Sequence, residues 1–438
     1  MNRQPMQHRT AFAFAFAFAF ASLLASAALV AAGPAAAQPK GNFETAPVLA
    51  GSELAPAVLL KGPLHTVAEP VTLEGFFGRF VIESKFGKFS VAGVNMLAVR
   101  VNELQAIETL QEVQRSQAFQ DSLVRAASAP IQLVQSAVTN PIGTVENVGQ
   151  GLGSVLGRIG FLARSGAQSV SDSTGGAPAP VAGLPQAPAG ETIPSAFTGD
   201  PFGYNKARRD WARQLNIDPY TSNPVLRPLL DNASAASFAG SFAVNTAIGA
   251  VSMGANLVVG FDTDVRDAVW NQPAVDLARQ NESRLLAMGV SGRTTRDFLR
   301  NRWFTPSLQT ALVLALGKAG GVAGAESVIQ VASQVQGETY VRFLIESVRM
   351  LGQYNGKESR LAKLRMSGIV PVGVAEDGTL VIATAIDYAW WDKNAAEFAQ
   401  RKELKGKRRV LLVAGTASER AKQEFARAGW TLHTGLRP

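Results

Sequence analysis

Side chains able to carry out nucleophilic or metal chemistry are scarce in this sequence. It contains no cysteine and only three histidines, His8, His65 and His433. Without cysteine the chain forms neither disulfides nor thiolate metal sites, and no two histidines stand at the spacing of zinc ligands. We therefore expect no metal site and no cofactor. Catalytic residues stay unknown at this level.

Serine and carboxylate chemistry is also weakly indicated. Ser252 lies in a sequence like a nucleophile elbow, but Ala250 replaces the first glycine and the flanking residues have helical character. Asp218 precedes Pro219, a pair that favours a turn. A hydrolase that uses two carboxylates on envelope glycans stays open, and a pocket holding two of them about 5 to 10 Å apart would favour it.

A basic segment near the C-terminus is a candidate anion-binding surface. Six of the nine residues from Arg401 to Arg409 are lysine or arginine. Gly415 and Thr416 follow a predicted strand and precede a predicted helix, whose N-terminus would attract anions. No Walker motif or dinucleotide fingerprint accompanies them. The predicted anion-binding residues are Lys405, Lys407, Arg408, Arg409 and Thr416.

Two stretches rich in small residues predict a surface for membrane or protein contact. Residues 141–167 keep the apolar spacing of a helix, and residues 232–261 contain no charge. Small residues four apart let two helices approach closely, as they do in membranes. Burial inside the protein is the alternative, because residues 232–261 also contain Ser, Thr and Asn. The predicted contact residues are Gly149, Gly153, Gly157, Ala243, Ala247 and Gly254.

The first 37 residues have the pattern of a secretory signal peptide. Arg3 and Arg9 precede an uncharged apolar run over residues 11–32, and a Gly-Pro pair then leads into three alanines that end at Ala37. This order predicts export and cleavage near Ala37, and an uncleaved membrane anchor is the alternative. Cleavage would remove Arg3 and Arg9 and lower the net charge from +8 to +6. In an exported chain this charge suggests anionic lipid or an envelope polymer as a partner, rather than nucleic acid, and a role in solubility alone is the alternative.

Hydrophobic periodicity predicts the elements that position these residues. Alternating apolar residues over 76–94 predict a β-hairpin, and spacings of three and four after Leu97 predict a helix that continues, with a break, to Ala129. Further helices are expected across the centre of the chain and alternating strands and helices near its end. The predicted helices there include 268–288, an antiparallel pair at 326–336 and 338–351, 387–400 and 417–428; the predicted strands are 370–374, 379–386, 409–414 and 430–433.

These patterns predict a predominantly helical α+β protein. The expected parts are the signal peptide 1–37, a hairpin and helices in 38–170, a Pro/Ala/Gly linker in 171–199, a helical bundle in 200–366 and a small α/β unit in 367–438. The favoured function is that of an exported, non-enzymatic cell-envelope protein that contacts membrane or a protein partner through its Gly/Ala-rich helices. The alternatives are a soluble periplasmic ligand-binding or chaperone-like module, and the carboxylate-dependent hydrolase.

Overall fold

The computed structural model describes residues 42–128, 181, 184–186, 204–239, 242, 261–320, 323–355 and 357–437. Within them it contains 14 α-helices and three β-sheets, which confirms the mixed α+β class. None of the described helices is long and apolar enough to cross a membrane. Outside the described residues lie the predicted signal peptide 1–37 and the predicted contact residues Gly149, Gly153, Gly157, Ala243, Ala247 and Gly254.

An antiparallel sheet forms the N-terminal part of the protein. Its strands and two short helices are β1 (Val48–Leu49), α1 (Gly51–Leu54), α2 (Ala57–Leu60), β2 (Lys61–Gly62), β3 (His65–Val67), β4 (Val71–Glu74), β5 (Phe77–Ser84) and β6 (Gly87–Ala92). The predicted hairpin is confirmed, because β5 pairs with β6. Strands β3 and β4 pair with the other edge of β5. Side chains alternate along a strand, so Phe80 and Ile82 both reach the core.

Four helices pack together beside this sheet. They are α3 (Val94–Arg115), α4 (Gln117–Ser128), α5 (Tyr204–Gln214) and α6 (Leu226–Ala239). The apolar stripe of α3 lies on β5 and β6, and α6 packs against α3, α4 and α5. The predicted break in the long helix is confirmed at Ser116, whose hydroxyl donates a hydrogen bond to the carbonyl of Val113.

Six further helices build the central region. They are α7 (Thr263–Asn271), α8 (Ala274–Ala287), α9 (Gly292–Leu299), α10 (Pro306–Lys318), α11 (Ala325–Ala332) and α12 (Glu338–Tyr354). The prediction of one helix over 268–288 is wrong, because Pro273 lacks a backbone donor and separates α7 from α8. The predicted pairing of the last two helices is also wrong. Helix α12 packs along α10, whereas a bridge from Ala323 to Lys363 holds α11 beside the C-terminal sheet.

The C-terminal part is a sheet with helices on both faces. Its elements are β7 (Leu361–Ser367), β8 (Val370–Ala375), β9 (Leu380–Thr384), β10 (Tyr388–Ala389), α13 (Lys393–Ala399), a 3-10 turn (Lys402–Leu404), β11 (Arg409–Val413), β12 (Thr416–Ala417), α14 (Glu419–Arg427) and β13 (Thr431–His433). The strand order is β13-β11-β9-β8-β7, with β9, β11 and β13 parallel and β7 and β8 antiparallel to their neighbours. The predicted hairpin of β8 and β9 and the parallel strands around α14 are therefore confirmed.

Three details of the C-terminal part differ from prediction. Strand β7 was not predicted, and the expected boundary between residues 366 and 367 falls inside it. The helix expected over 387–400 begins only at Lys393, because Asp392 caps it by accepting a hydrogen bond from the Ala395 N–H. The helix expected from residue 417 begins at Glu419, and Ser418 is its cap.

Asp387 joins the N-terminal and C-terminal sheets. Its buried carboxylate accepts hydrogen bonds from the backbone N–H groups of Gly78 and Val94, at 2.9 and 3.1 Å, and pairs with Arg437. The backbone N–H of Asp387 donates to the carbonyl of Phe76, at 3.1 Å. Burial raises the pKa of Asp387, although Arg437 and the two N–H donors oppose that shift. These bonds fix the hairpin against the end of β9.

Candidate ligand-binding site

An apolar cavity lies where the hairpin, α12, α13 and the C-terminal sheet meet. Its volume is about 160 Å³. Seven of the described residues that line it are aromatic: Phe76, Phe77, Tyr340, Phe343, Trp390, Phe398 and Phe425. Aromatic rings present a large apolar surface, so the cavity favours the hydrocarbon part of a ligand over water.

The cavity exists because two neighbouring strands separate. Strand β9 stays paired with β8 only as far as Ile382, opposite Val372, and Thr384 has no partner in β8. The cavity opens there, at the carboxyl ends of the parallel strands β9 and β11, which is the usual place for a ligand in an open α/β sheet. The Thr384 hydroxyl donates to the Leu412 carbonyl at 3.0 Å, so this wall stays apolar.

The cavity has a buried floor and a half-exposed rim. Phe343 and Phe425 in the floor are each 4% exposed. Trp390, Phe398 and Ile369 at the rim are half-buried. The Trp390 indole N–H donates to the Gly75 carbonyl at 2.9 Å, so its polar atom is satisfied and its ring is held in place. A ligand can therefore enter past the rim and bury its apolar end against the floor.

One cation stands at this rim. Among the described residues that line the cavity, Arg401 alone is charged. Its Nη1 donates to the Ser367 hydroxyl at 2.8 Å, and its guanidinium lies 5.6 Å from the centre of the Phe398 ring. The nearby Asn394 amide donates to Asp392 at 3.0 Å. The rim thus combines apolar surface with hydrogen-bond donors.

The five predicted anion-binding residues lie elsewhere, and none of them lines the cavity. Lys405, Lys407 and Arg408 are exposed on the connection that leads into β11. Arg409 contributes to packing instead, because its guanidinium lies 4.8 Å from the Trp430 ring and donates to the Ala428 carbonyl. Thr416 belongs to strand β12.

The start of α14, where an anion was expected, is approached by a carboxylate of the protein itself. The Ser418 hydroxyl donates to Glu44 at 2.7 Å, and the Trp391 backbone N–H donates to the same carboxylate oxygen at 2.5 Å. Ser418 also accepts a hydrogen bond from the Ala421 N–H at 2.9 Å. This helix end therefore already has an acidic partner within the chain.

A second, polar cleft contains two carboxylates. Glu103 and Asp218 line it together with Arg266, Arg342 and Trp270. Asp218 accepts hydrogen bonds from the Ser307 hydroxyl at 2.5 Å and from the Tyr220 N–H at 2.9 Å, which confirms its predicted turn. Burial raises the pKa of Asp218 to about 6. The cleft measures only about 40 Å³, which is room for about one water molecule and not for a sugar ring.

Arg342, which lines this polar cleft, forms a buried ion pair with Glu338. Burial alone would raise the pKa of Glu338, but the charges of Arg342 and Arg100, together with hydrogen bonds from Ser222 and Arg342, hold that pKa below its usual range. Arg342 donates to Glu338 through Nε at 2.8 Å and through Nη2 at 2.6 Å. Within the described part of the chain, no group of three or more His, Cys, Asp or Glu residues is placed to hold a metal.

Comparison with protein-family models, curated proteins and solved structures finds no match for this chain. Its function must therefore be argued from the chemistry of its own sites.

Proposed function

We propose that this is an exported, non-enzymatic binding protein of the cell envelope that holds the apolar part of a small molecule in the aromatic cavity. The cavity is the observation that carries the proposal. An apolar cavity of roughly 150 Å³ in another protein stays dry and binds an aromatic ring. The aromatic cavity, with a volume of about 160 Å³, is close to that value.

The expected affinity follows from the surface that such a ligand buries. An aromatic ring system buries about 150 to 250 Å², and each Å² contributes about 25 cal/mol. The product is about 4 to 6 kcal/mol, which corresponds to a Kd on the order of 0.1 mM. A ligand that also contacts the rim would bind more tightly. A Kd in this range suits a protein that takes up and releases its ligand.

A cavity-filling substitution tests this function. Ala395 on α13 lines the cavity, so Ala395→Leu places three more carbon atoms inside it. We expect this change to weaken binding of the neutral fluorescent probe N-phenyl-1-naphthylamine at least about ten-fold. Ala396→Leu is the matched control, because Ala396 is the next residue of the helix and does not line the cavity. Equal binding by both variants, with unchanged circular dichroism, would refute the proposed site.

Export is proposed from the pattern of residues 1–37. It predicts that the protein isolated from the periplasm of an expressing bacterium has lost these residues and begins at Gln38, which intact-mass measurement would show. A full-length protein that pellets with membranes would support the anchor alternative. The layout of a hairpin part (38–170), a linker (171–199), a bundle (200–366) and an α/β unit (367–438) likewise stays a proposal.

A further inference from the structure

We infer that the ligand is a carboxylate with a medium-length hydrocarbon tail, and that its carboxylate binds Arg401 while its tail enters the aromatic cavity. This inference rests on the proposed function and adds the chemical class of the ligand. Its first support is that an otherwise apolar cavity has a single charged side chain at its rim among the described residues. A ligand complementary to that arrangement has one anionic end and one apolar body.

A carboxylate of the protein already lies beside this pair of donors. The Ser367 hydroxyl is 3.3 Å from Oε1 of Glu403, and Nη1 of Arg401 is 4.0 Å from the same oxygen. The Glu403 side chain is 49% exposed and belongs to a 3-10 turn, whereas Ser367 is only 5% exposed. Ser367 and Arg401 therefore form a built position for a carboxylate, and the half-exposed carboxylate of Glu403 is the group that a ligand carboxylate would replace.

Arg401 also lies next to an aromatic wall of the cavity, so it is close to both the polar and the apolar part of such a ligand. Its guanidinium lies 5.6 Å from the centre of the Phe398 ring, and Phe398 lines the cavity. A carboxylate at Arg401 would therefore have its first carbon atoms beside an apolar wall. Arginine presents five N–H donors in a planar fork that matches a carboxylate. These features favour a fatty acid of medium length over a neutral alcohol of the same length.

The test compares octanoate with octanol in the purified protein by isothermal titration calorimetry at low salt. The parent protein should bind octanoate about ten-fold more tightly than octanol, because only the carboxylate forms charge-assisted hydrogen bonds. Arg401→Gln should remove that preference and leave octanol binding unchanged. Arg401→Lys should keep part of the preference, since it keeps the charge and loses the fork. Glu403→Gln should strengthen octanoate binding severalfold, because it removes the competing carboxylate.

The outcomes separate this inference from the proposed function. If octanoate and octanol bind equally and Arg401→Gln changes neither, the inference about the carboxylate is refuted and the apolar site stands. If neither compound binds, and N-phenyl-1-naphthylamine does not bind either, the proposed function itself fails. Weaker octanoate binding by Glu403→Gln would also overturn the inference, because it would mean that Glu403 assists the ligand.

Discussion

The carboxyl group of Asp218 should make the free energy of unfolding depend on pH. Burial raises its pKa from 3.8 to about 6, although hydrogen bonds from Ser307 and Tyr220 and the charge of Arg342 oppose the shift; Glu338 adds to it. Arg266 and Glu103 also line the cleft that Asp218 faces. Between pH 4 and pH 6 the native protein therefore binds a proton that the unfolded chain has released.

The sign and size of the effect follow from that difference. Because the native state holds more protons in this window, the free energy of unfolding falls as the pH rises from about 4 through about 6. A difference of about two pKa units corresponds to about 3 kcal/mol in full, of which about 2 kcal/mol lies between pH 4 and pH 7. Asp218→Asn keeps an oxygen for the Ser307 and Tyr220 donors and removes the ionisation.

Urea unfolding followed by tryptophan fluorescence measures this effect. We expect the free energy of unfolding of Asp218→Asn, relative to the parent, to increase by about 2 kcal/mol from pH 4 to pH 7. Burial also raises the pKa of Asp387, so both proteins share that contribution and it cancels in the comparison. Asp267→Asn, at an exposed position, is the control and should give no such trend. A flat or opposite difference for Asp218→Asn would refute the reasoning.

Two further predictions concern the junction of the sheets and the basic surface. Asp387→Ala should lower the free energy of unfolding by about 3 to 5 kcal/mol in urea titrations, since it leaves two buried N–H donors and the half-buried Arg437 without their acceptor. Glu419→Ala, at an exposed ion pair, should lower it by less than about 1 kcal/mol, and equal losses would contradict this expectation. Replacing the exposed Lys405, Lys407 and Arg408 together by Gln should reduce flotation with anionic vesicles about a hundred-fold at low salt, at about 1 kcal/mol per charge. If this variant still binds neutral vesicles at high salt, the result would instead support contact of the Gly/Ala-rich helices with the lipid.

The sequence predicts strands well where apolar and polar residues alternate without interruption. The alternation that includes Phe80 and Ile82 predicted the hairpin, because both residues face one side of β5. Strand β7 was missed because Leu361 and Leu364 are three residues apart, as on a helix. Strand β7 has a register shift between Leu361 and Lys363. This bulge lets Leu361 and Leu364 both face the hydrophobic core although they are three residues apart.

The cavity could not be predicted from local patterns, because its walls come from parts of the chain that lie far apart in the sequence. Phe76, Phe343 and Phe425 each look like an ordinary core residue in their own segment. The basic run from Arg401 was recognised, but its pattern does not show which residue faces inward. The end of α13 and the 3-10 turn after it place Arg401 at the rim and Lys405 in solvent.

The most direct test of the central claim is to locate a bound apolar ligand on the protein. A photoreactive octanoate that carries a diazirine on its tail would be bound, illuminated and mapped by peptide mass spectrometry. Because the tail enters the cavity, we expect labelling of its floor at Phe343 and Phe425 and of its α13 wall near Ala395 and Phe398. This labelling should be lost in Ala395→Leu and retained in Ala396→Leu. Labelling spread over other surfaces and unaffected by Ala395→Leu would contradict the claim that this cavity is the binding site.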